Sequence, residues 1–151
     1  MDLKVNGIRL FVDTEGPQYE PSGHVLRRRP SILILHGGPG IDHSPYRALG
    51  QALSRDFPVI YLDQRGSGRS ESGSPHSWTL ATWAADVYSV CEALGLDQPI
   101  ILRHSFGGYV AQAYASTFPG QDQESCSGFI GWTRCDCNPG RYRRPDVIAS
   151  R

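Results

Sequence analysis

The sequence has no excess of charge of either sign, because fifteen Lys and Arg residues balance fifteen Asp and Glu residues. A protein that binds nucleic acid usually carries a basic surface that neutralises phosphates, so we expect no nucleic-acid partner. Long hydrophobic runs are also absent, and the longest aliphatic run, Ile32–Leu35, is far too short to cross a bilayer. The N-terminus lacks the apolar segment of a signal peptide, so we expect a cytoplasmic protein without a membrane partner.

Cysteine is scarce, and the four cysteines do not have the regular spacing of a disulfide-rich secreted protein. Three of them, Cys126, Cys135 and Cys137, lie near the end of the chain. Because no histidine lies nearby and a paired knuckle is absent, we predict no metal site there. The phosphate-binding patterns Gly-x-x-x-x-Gly-Lys-Ser/Thr and Gly-x-Gly-x-x-Gly are absent as well, and we expect no cofactor.

The composition of the chain changes near residue 120. All twelve leucines lie at or before Leu102, whereas residues 120–151 contain no leucine and five of the arginines. The whole chain of 151 residues is long enough for one domain and too short for two ordinary ones. We therefore predict that residues 1–119 belong to one folded unit and that residues 120–151 form an atypical, irregular tail.

Residues 1–119 contain several strand patterns. Two short alternating segments on either side of Asn6-Gly7 predict a β-hairpin with a tight turn. The polar segment 16–30 predicts a surface loop with its three consecutive arginines solvated. Three further runs are apolar on both faces, which is typical of parallel strands covered by helices: Ile32–Leu35, Val59–Leu62 and Ile100–Leu102.

Helix patterns alternate with these apolar runs. Ser44 and Pro45 predict the start of a first helix, as a cap and a first-turn proline. Thr79 precedes a second apolar stripe of helical spacing, and a third helix is predicted from Phe106 to about Phe118. Strands that alternate with helices predict an α/β fold, a doubly wound parallel sheet with right-handed crossovers.

Three unusual segments follow the apolar strands at their carboxyl ends, where the sites of open α/β sheets form. Each segment combines glycines with polar or ionisable side chains. In chain order they are His36-Gly37-Gly38-Pro39-Gly40, Asp63-Gln64-Arg65-Gly66-Ser67-Gly68-Arg69-Ser70 and His104-Ser105-Phe106-Gly107-Gly108.

Ser105 lies where a strand is expected to turn into a helix, as in a nucleophile elbow. Gly107 satisfies the need for a small residue two positions after the serine, but Arg103 stands where the pattern has glycine. That departure either strains the turn or pushes a bulky side chain against the neighbouring strand. Taken alone, this segment also fits a serine that only caps a helix, and the glycines after His36 also fit a tight loop.

Taken together, in this order and spacing, the three segments resemble α/β hydrolases of the proline iminopeptidase group. The resemblance covers about residues 3–119, which is the N-terminal half of such an enzyme. It implies a partial α/β-hydrolase fold, with an N-terminal hairpin and parallel strands alternating with helices, and with the C-terminal strands, the lid and the last helices missing. Esterases and amidases share these motifs, but serine instead of aspartate at the elbow argues against epoxide hydrolases and dehalogenases.

The resemblance also implies roles for individual residues. Ser105 would be the nucleophile of a serine hydrolase, and the backbone N–H groups of Gly38 and Phe106 would form the oxyanion hole. The substrate would be a small peptide, amide or ester, cleaved through an acyl-enzyme. Neither His36 nor His104 is assigned as the base. The other motif residues would shape the loops beside the site: His36, Gly37, Pro39, Gly40, Asp63, Arg65, Gly66 and Gly107.

The sequence has no recognisable partners for a serine nucleophile: the acids after Ser105, which are Asp122, Glu124, Asp136 and Asp146, follow no recognisable strand. In this fold the order is Ser, then Asp or Glu, then His, yet no histidine follows Ser105. Without the family's later strands, we expect the sheet edge beyond the third parallel strand to be open. This chain is therefore expected to have little activity, and a non-catalytic remnant of a hydrolase gene is the alternative.

The tail has a separate explanation at the level of the gene. Family members would continue after Pro119 with a basic turn and an apolar strand, whereas this chain continues with a polar segment that contains cysteine. Read one base later, the degenerate codons of this segment permit the string DKIRKVVLVSSAGHGA, which has the pattern of a strand and its following loop. A frameshifted or truncated hydrolase gene product would account for the leucine-free tail without a further function.

Overall fold

The computed structural model describes residues 1–119 and the backbone of a further strand at residues 130–133. The predictions for the cysteines and the reading frame of the tail lie outside these residues. In chain order the strands are β1 (Asp2–Val5), β2 (Ile8–Glu15), β3 (Tyr19–Ser22), β4 (Val25–Arg28), β5 (Ile32–Leu35), β6 (Val59–Leu62), β7 (Ile100–His104) and β8 (Ile130–Thr133). The helices are α1 (Arg47–Leu53), α2 (Leu80–Ala93) and α3 (Phe106–Thr117), with short 3-10 turns at Ser44–Tyr46 and Pro75–Ser77.

Six strands form one mixed sheet in the order β1–β2–β6–β5–β7–β8, and β3 and β4 form a separate hairpin. The central strand β5 pairs in parallel with β6 and with β7. These parallel strands alternate with helices behind an N-terminal hairpin, which confirms the predicted partial α/β-hydrolase fold. Leu35 lies opposite Leu62 on one side and Arg103 on the other, so the three motif segments leave the sheet at the same edge.

The edge of β7 is not open, contrary to the expectation from the sequence. β8 pairs with it in an antiparallel arrangement, with Gly131 opposite Arg103. An edge strand presents unpaired N–H and C=O groups that can accept any extended segment within reach, and the composition of the tail does not indicate such a segment.

The first hairpin forms as predicted. Asn6 and Gly7 adopt left-handed conformations, with φ of 48° and 76°, as the two central residues of a type I′ turn require. The Asn6 side chain also donates a hydrogen bond of 2.9 Å to Asp86 of α2. The turn is therefore anchored to a helix that is distant in the sequence.

The segment 16–30 was predicted to be a surface loop with solvated arginines, and only the prediction of an irregular loop is wrong. The segment contains the β3–β4 hairpin. Arg27 and Arg28 are exposed, but two of the arginines also bind main-chain carbonyls: Arg28 donates to Leu94 at the end of α2 at 3.1 Å, and Arg29 donates to Asp56, shortly after α1, at 3.0 Å. The last carbonyls of a helix lack partners within the helix, so a nearby guanidinium satisfies them.

Helices cover both faces of the sheet, and successive strand residues point to opposite faces. On one face, Ile32, Ile34 and Tyr61 pack with the side chains of α1 and the turn before it. On the other face, Leu33 and Leu35 pack against α2 and α3. None of the helices in the described part of the chain is long and apolar enough to cross a membrane.

The first helix begins later than predicted. Ser44 lies in a 3-10 turn, and α1 begins at Arg47 without a side-chain cap. The Ser44 hydroxyl donates to Asp42 at 2.9 Å and so does not act as the cap. The second helix begins as predicted, with the Thr79 side chain accepting a hydrogen bond from the first turn of α2.

The α1 helix lies directly against Tyr61 of β6. An ideal Cβ added to Gly50 would lie 1.8 Å from Tyr61 Oη, so this close approach requires glycine. Tyr61 donates a hydrogen bond of 3.0 Å to Glu15, and the Arg47 guanidinium lies 4.7 Å from the centre of its ring. Burial and the bond to Glu15 raise the pKa of Tyr61 to about 12.

Candidate active site

Ser105 lies in the turn between β7 and α3, as the sequence predicts. Its φ of 49° and ψ of −115° place a non-glycine residue in a strained region of backbone space. The residue is exposed, and no side chain among residues 1–119 forms a hydrogen bond with its hydroxyl. The structure therefore holds the Ser105 hydroxyl at the edge of the sheet where the motif segments meet.

Two glycines allow this turn to pack closely against the loop after β5. An ideal Cβ on Gly107 would lie 2.3 Å from the carbonyl oxygen of Leu35. One on Gly37 would lie 2.9 Å from His104 Nδ1 and 3.4 Å from Ser105 Cβ. The loop that contains Gly38 is therefore brought directly beside Ser105.

Arg103 occupies the position at which the elbow pattern has glycine, yet the turn forms. The residue is only 2% exposed. An ideal Cβ on Gly108 would lie 3.1 Å from Arg103 Nη1, so the guanidinium reaches the first turn of α3. The sequence led us to expect that Arg103 would either strain the turn or press against the neighbouring strand. In the structure, the charged end of its side chain lies beside α3.

Most polar groups of the loop after β5 are engaged in hydrogen bonds. The Gly37 N–H donates to Tyr46 Oη at 3.1 Å, and the Gly40 N–H donates to Ser67 Oγ at 3.1 Å. Within the described residues, the N–H groups of Gly38 and Phe106 donate to no acceptor. These are the two donors that the resemblance implies for the oxyanion hole. Pro39 follows Gly38 through a cis peptide bond.

His36 is fully buried and bonded within the site loops. Its Nε2 accepts a hydrogen bond of 3.0 Å from the Gln64 N–H, so the proton of the neutral ring lies on Nδ1. Nδ1 then donates to the Gly37 carbonyl at 2.5 Å. Burial lowers the pKa of His36, which favours the neutral ring. Its position beside its own loop is as predicted, and both ring nitrogens are occupied.

Asp63 is paired with a histidine that sequence analysis did not assign. His43 Nδ1 lies 2.6 Å from Asp63 Oδ1, and both side chains are at most 1% exposed. The same carboxylate accepts the N–H groups of His43 at 3.1 Å and of Arg69 at 3.0 Å. The residues come from loops after two adjacent strands, and their common position at the sheet edge was the only sequence signal for this pair.

Arg65 forms a buried ion pair with Asp86 of α2, with two hydrogen bonds of 2.8 and 2.9 Å. The main-chain carbonyl of Arg65 accepts a hydrogen bond of 3.1 Å from the Trp83 indole. An ideal Cβ on Gly66 would lie 2.7 Å from the Trp78 ring, so the loop and the indole are in close contact. Sequence analysis did not assign a role to Asp86, although an acidic residue on the apolar face of a predicted helix could have indicated a buried ion pair.

The described histidines near the site do not supply a base for Ser105. His36 and His43 are buried and form the hydrogen bonds described above, and His104 Nδ1 lies 2.8 Å from Tyr46 Oη. The described residues also contain no group of three His, Cys, Asp or Glu side chains that could hold a metal ion. Within the described residues, the arrangement presents a serine hydroxyl and two backbone donors, and no side chain there is placed to accept the hydroxyl proton.

Comparison with known proteins gives consistent results. The sequence model of the alpha/beta hydrolase fold family matches residues 30–131. The chain is similar to the proline iminopeptidase of Levilactobacillus brevis, with 40% identity over 98 residues that cover 64% of this chain and 33% of the relative. The chain spans about a third of the length of the proline iminopeptidases that it matches.

Two solved structures have a similar fold. A proline iminopeptidase-related protein from Thermus thermophilus aligns with a TM-score of 0.68 and 33% identity, over 79% of this chain and 40% of that one. An epoxide hydrolase from Vigna radiata aligns with a TM-score of 0.67 and 27% identity, over 80% of this chain and 36% of that one. The similarity to both extends over most of this chain and less than half of each neighbour.

Proposed function

Because the chain belongs to the α/β hydrolase fold family, we propose that it is part of a serine hydrolase of the proline iminopeptidase type. Such an enzyme would remove an N-terminal residue, in particular proline, from a small peptide. The observation that carries the proposal is the exposed Ser105 at φ 49° between β7 and α3, beside backbone donors that have no acceptor among the described residues. The proline iminopeptidase relative supports the substrate class.

The chemistry follows from this arrangement. Ser105 Oγ would form a bond to the carbonyl carbon of the substrate, and the electron pair of the C=O bond would move onto its oxygen. The N–H groups of Gly38 and Phe106 would stabilise that oxyanion. The serine proton would pass to a base and then to the leaving amine, and water would hydrolyse the resulting acyl-enzyme.

The base is the missing part, since the sequence has no histidine after Ser105. Loss of the base from a serine triad lowers turnover by about six orders of magnitude. We therefore propose that this chain alone has little activity and that it is the product of a frameshifted or truncated hydrolase gene. The missing base also favours a second candidate, a non-catalytic remnant that keeps the fold of an esterase, amidase or peptidase without turnover.

The nucleophile is tested by covalent labelling of the full chain with a fluorophosphonate probe, with imidazole added as an external base. We expect label on Ser105 and none in Ser105→Ala, which is the matched control. Absence of label in the unaltered chain would exclude the proposed nucleophile and favour the remnant.

Turnover is tested separately with proline β-naphthylamide and p-nitrophenyl acetate. We expect the chain without added base to be indistinguishable from Ser105→Ala. Turnover well above that variant would show that a histidine does reach Ser105. Sequencing of the gene tests the origin of the tail: the shifted frame should continue in frame and encode a downstream Asp and His.

A further inference from the structure

The geometry points to Tyr46 as a positioning residue that aligns the two halves of the oxyanion hole, an inference that rests on the proposed function. One half is the Gly38 N–H in the loop after β5, and the other is the Phe106 N–H at the start of α3. These segments are joined at a single hydroxyl. Tyr46 is the last residue of the 3-10 turn Ser44–Tyr46 and is partly buried against the face of the sheet that α1 covers.

The Tyr46 hydroxyl contacts a residue close before each half of the site. The Gly37 N–H donates to it at 3.1 Å, and His104 Nδ1 lies 2.8 Å from it. A phenol oxygen accepts hydrogen bonds and has one proton to donate. The Gly37 N–H can only donate, so the phenol oxygen accepts there, and the bond to His104 Nδ1 runs in the direction that the tautomer of the imidazole ring allows.

The direction of the Gly38 N–H is set by the bonds of Gly37. A trans peptide is planar, and its N–H points opposite to the preceding C=O. The Gly37 carbonyl accepts a hydrogen bond from His36 Nδ1 at 2.5 Å, so the Gly38 N–H points away from His36. The bond from the Gly37 N–H to Tyr46 fixes the other side of the same residue.

A hydrogen bond is needed here because Gly37 and Gly38 have no side chains that could pack. Gly37 and Gly38 are free to rotate, and Gly37 has no space for a Cβ, which would lie 2.9 Å from His104 Nδ1. The hydroxyl of Tyr46 therefore supplies a constraint that a side chain on the loop itself could not. The same bond holds His104 and, through the chain, Ser105 in register with that loop.

The test compares Tyr46→Phe, which removes only the hydroxyl, with Tyr109→Phe on the exposed face of α3. Full chains are labelled with a fluorophosphonate in the presence of imidazole, and the maximal labelling rate and the half-saturating probe concentration are measured. Removal of one oxyanion donor lowers rates by about 10²–10³, so displacement of one donor should slow labelling about tenfold or more. The half-saturating concentration should not change, and Tyr109→Phe should match the unaltered chain.

A second measurement reports the contact itself. In the unaltered chain, the imidazole ¹⁵N spectrum should show a single tautomer of His104, because the Tyr46 hydroxyl bonds to Nδ1, and Tyr46→Phe should convert it to a mixture. Equal labelling rates in Tyr46→Phe and Tyr109→Phe, or an unchanged His104 spectrum, would overturn the inference and leave the proposed function intact. Absence of Ser105 labelling in the unaltered chain would overturn the proposed function and this inference with it.

Discussion

The Arg65 guanidinium donates two hydrogen bonds, of 2.8 and 2.9 Å, to the Asp86 carboxylate, and both side chains are almost completely buried. The pair joins the loop after β6 to α2. Asn6 also donates to Asp86, so the turn of the first hairpin is tied to the same carboxylate. The loop beside the candidate site is thus fixed by a residue that lies on a packed helix.

Removal of one partner of this pair should destabilise the protein strongly. Asp86→Leu leaves the Arg65 guanidinium buried without its counter-charge, and we expect the free energy of unfolding to fall by about 3–5 kcal/mol. Addition of Arg65→Met should recover most of that loss, since no uncompensated charge then remains at the site of this pair. Urea unfolding followed by tryptophan fluorescence measures both changes.

The exposed pair of Arg9 and Asp2, with its 3.0 Å contact, provides the control. Asp2→Ala should change the free energy of unfolding by less than about 1 kcal/mol, because both side chains are solvated. If Asp86→Leu changes the stability no more than Asp2→Ala does, the buried pair does not hold the loop after β6 to α2.

Stability should fall as the pH decreases from neutrality, in part because of His36. Burial lowers its pKa in the folded protein below the ordinary value of 6.5. As the pH falls below 6.5, the unfolded chain takes up a proton at this site before the folded chain does, so the free energy of unfolding decreases. His36→Gln should be less stable at neutral pH but should lose less on acidification.

The measurement is the urea midpoint between about pH 7 and pH 5, where a single histidine contributes at most about 1.4 kcal/mol per pH unit. His24→Gln is the control, since His24 is exposed in the turn between β3 and β4. A pH dependence in His36→Gln as steep as that in His24→Gln would contradict the prediction.

Gly50→Ala should force α1 away from β6. The new methyl group would lie 1.8 Å from Tyr61 Oη, and overpacking of this kind lowers the free energy of unfolding by about 1–3 kcal/mol. Tyr61→Phe in the same chain removes the nearest clashing atom and leaves ring carbons at 2.5 and 2.8 Å, so the double variant should lose less than the sum of the single losses but should not recover full stability.

Gly108→Ala in α3 is the matched helix substitution. Its methyl group would lie 3.1 Å from Arg103 Nη1, a much milder contact than the 1.8 Å at Gly50, and should be tolerated better. Thermal unfolding of the four variants measures these differences in stability. A Gly50→Ala protein as stable as the unaltered chain would disprove the close contact between α1 and Tyr61.

Arg103→Gly restores the elbow pattern but should not restore turnover. The turn already forms with arginine at this position, and the sequence still has no histidine after Ser105. Release of nitrophenolate from p-nitrophenyl acetate should therefore remain at the level of Ser105→Ala. An increase of about tenfold or more would show that Arg103, and not the missing base, limits the reaction.

Local sequence patterns determined the first hairpin, the three parallel strands, the helices that alternate with them and the place of the candidate nucleophile. The Asn6-Gly7 turn, the strands that are apolar on both faces and the cap at Thr79 depend on interactions within a few residues. Such interactions can be predicted from spacing and turn chemistry alone. Ser105 could be placed between a strand and a helix for the same reason.

Only the tertiary structure decided which distant residues meet at the site. The partners of Arg65, Asp63 and His104 are Asp86, His43 and Tyr46, each from another element of the chain. The order and register of the strands bring their loops together, and no local pattern encodes that order. The tertiary structure also decided that β8 pairs with the edge of β7 and that Arg28 binds the end of α2. Edge strands and helix ends have unpaired N–H or C=O groups, and the fold decides which partner lies close enough to bond with them.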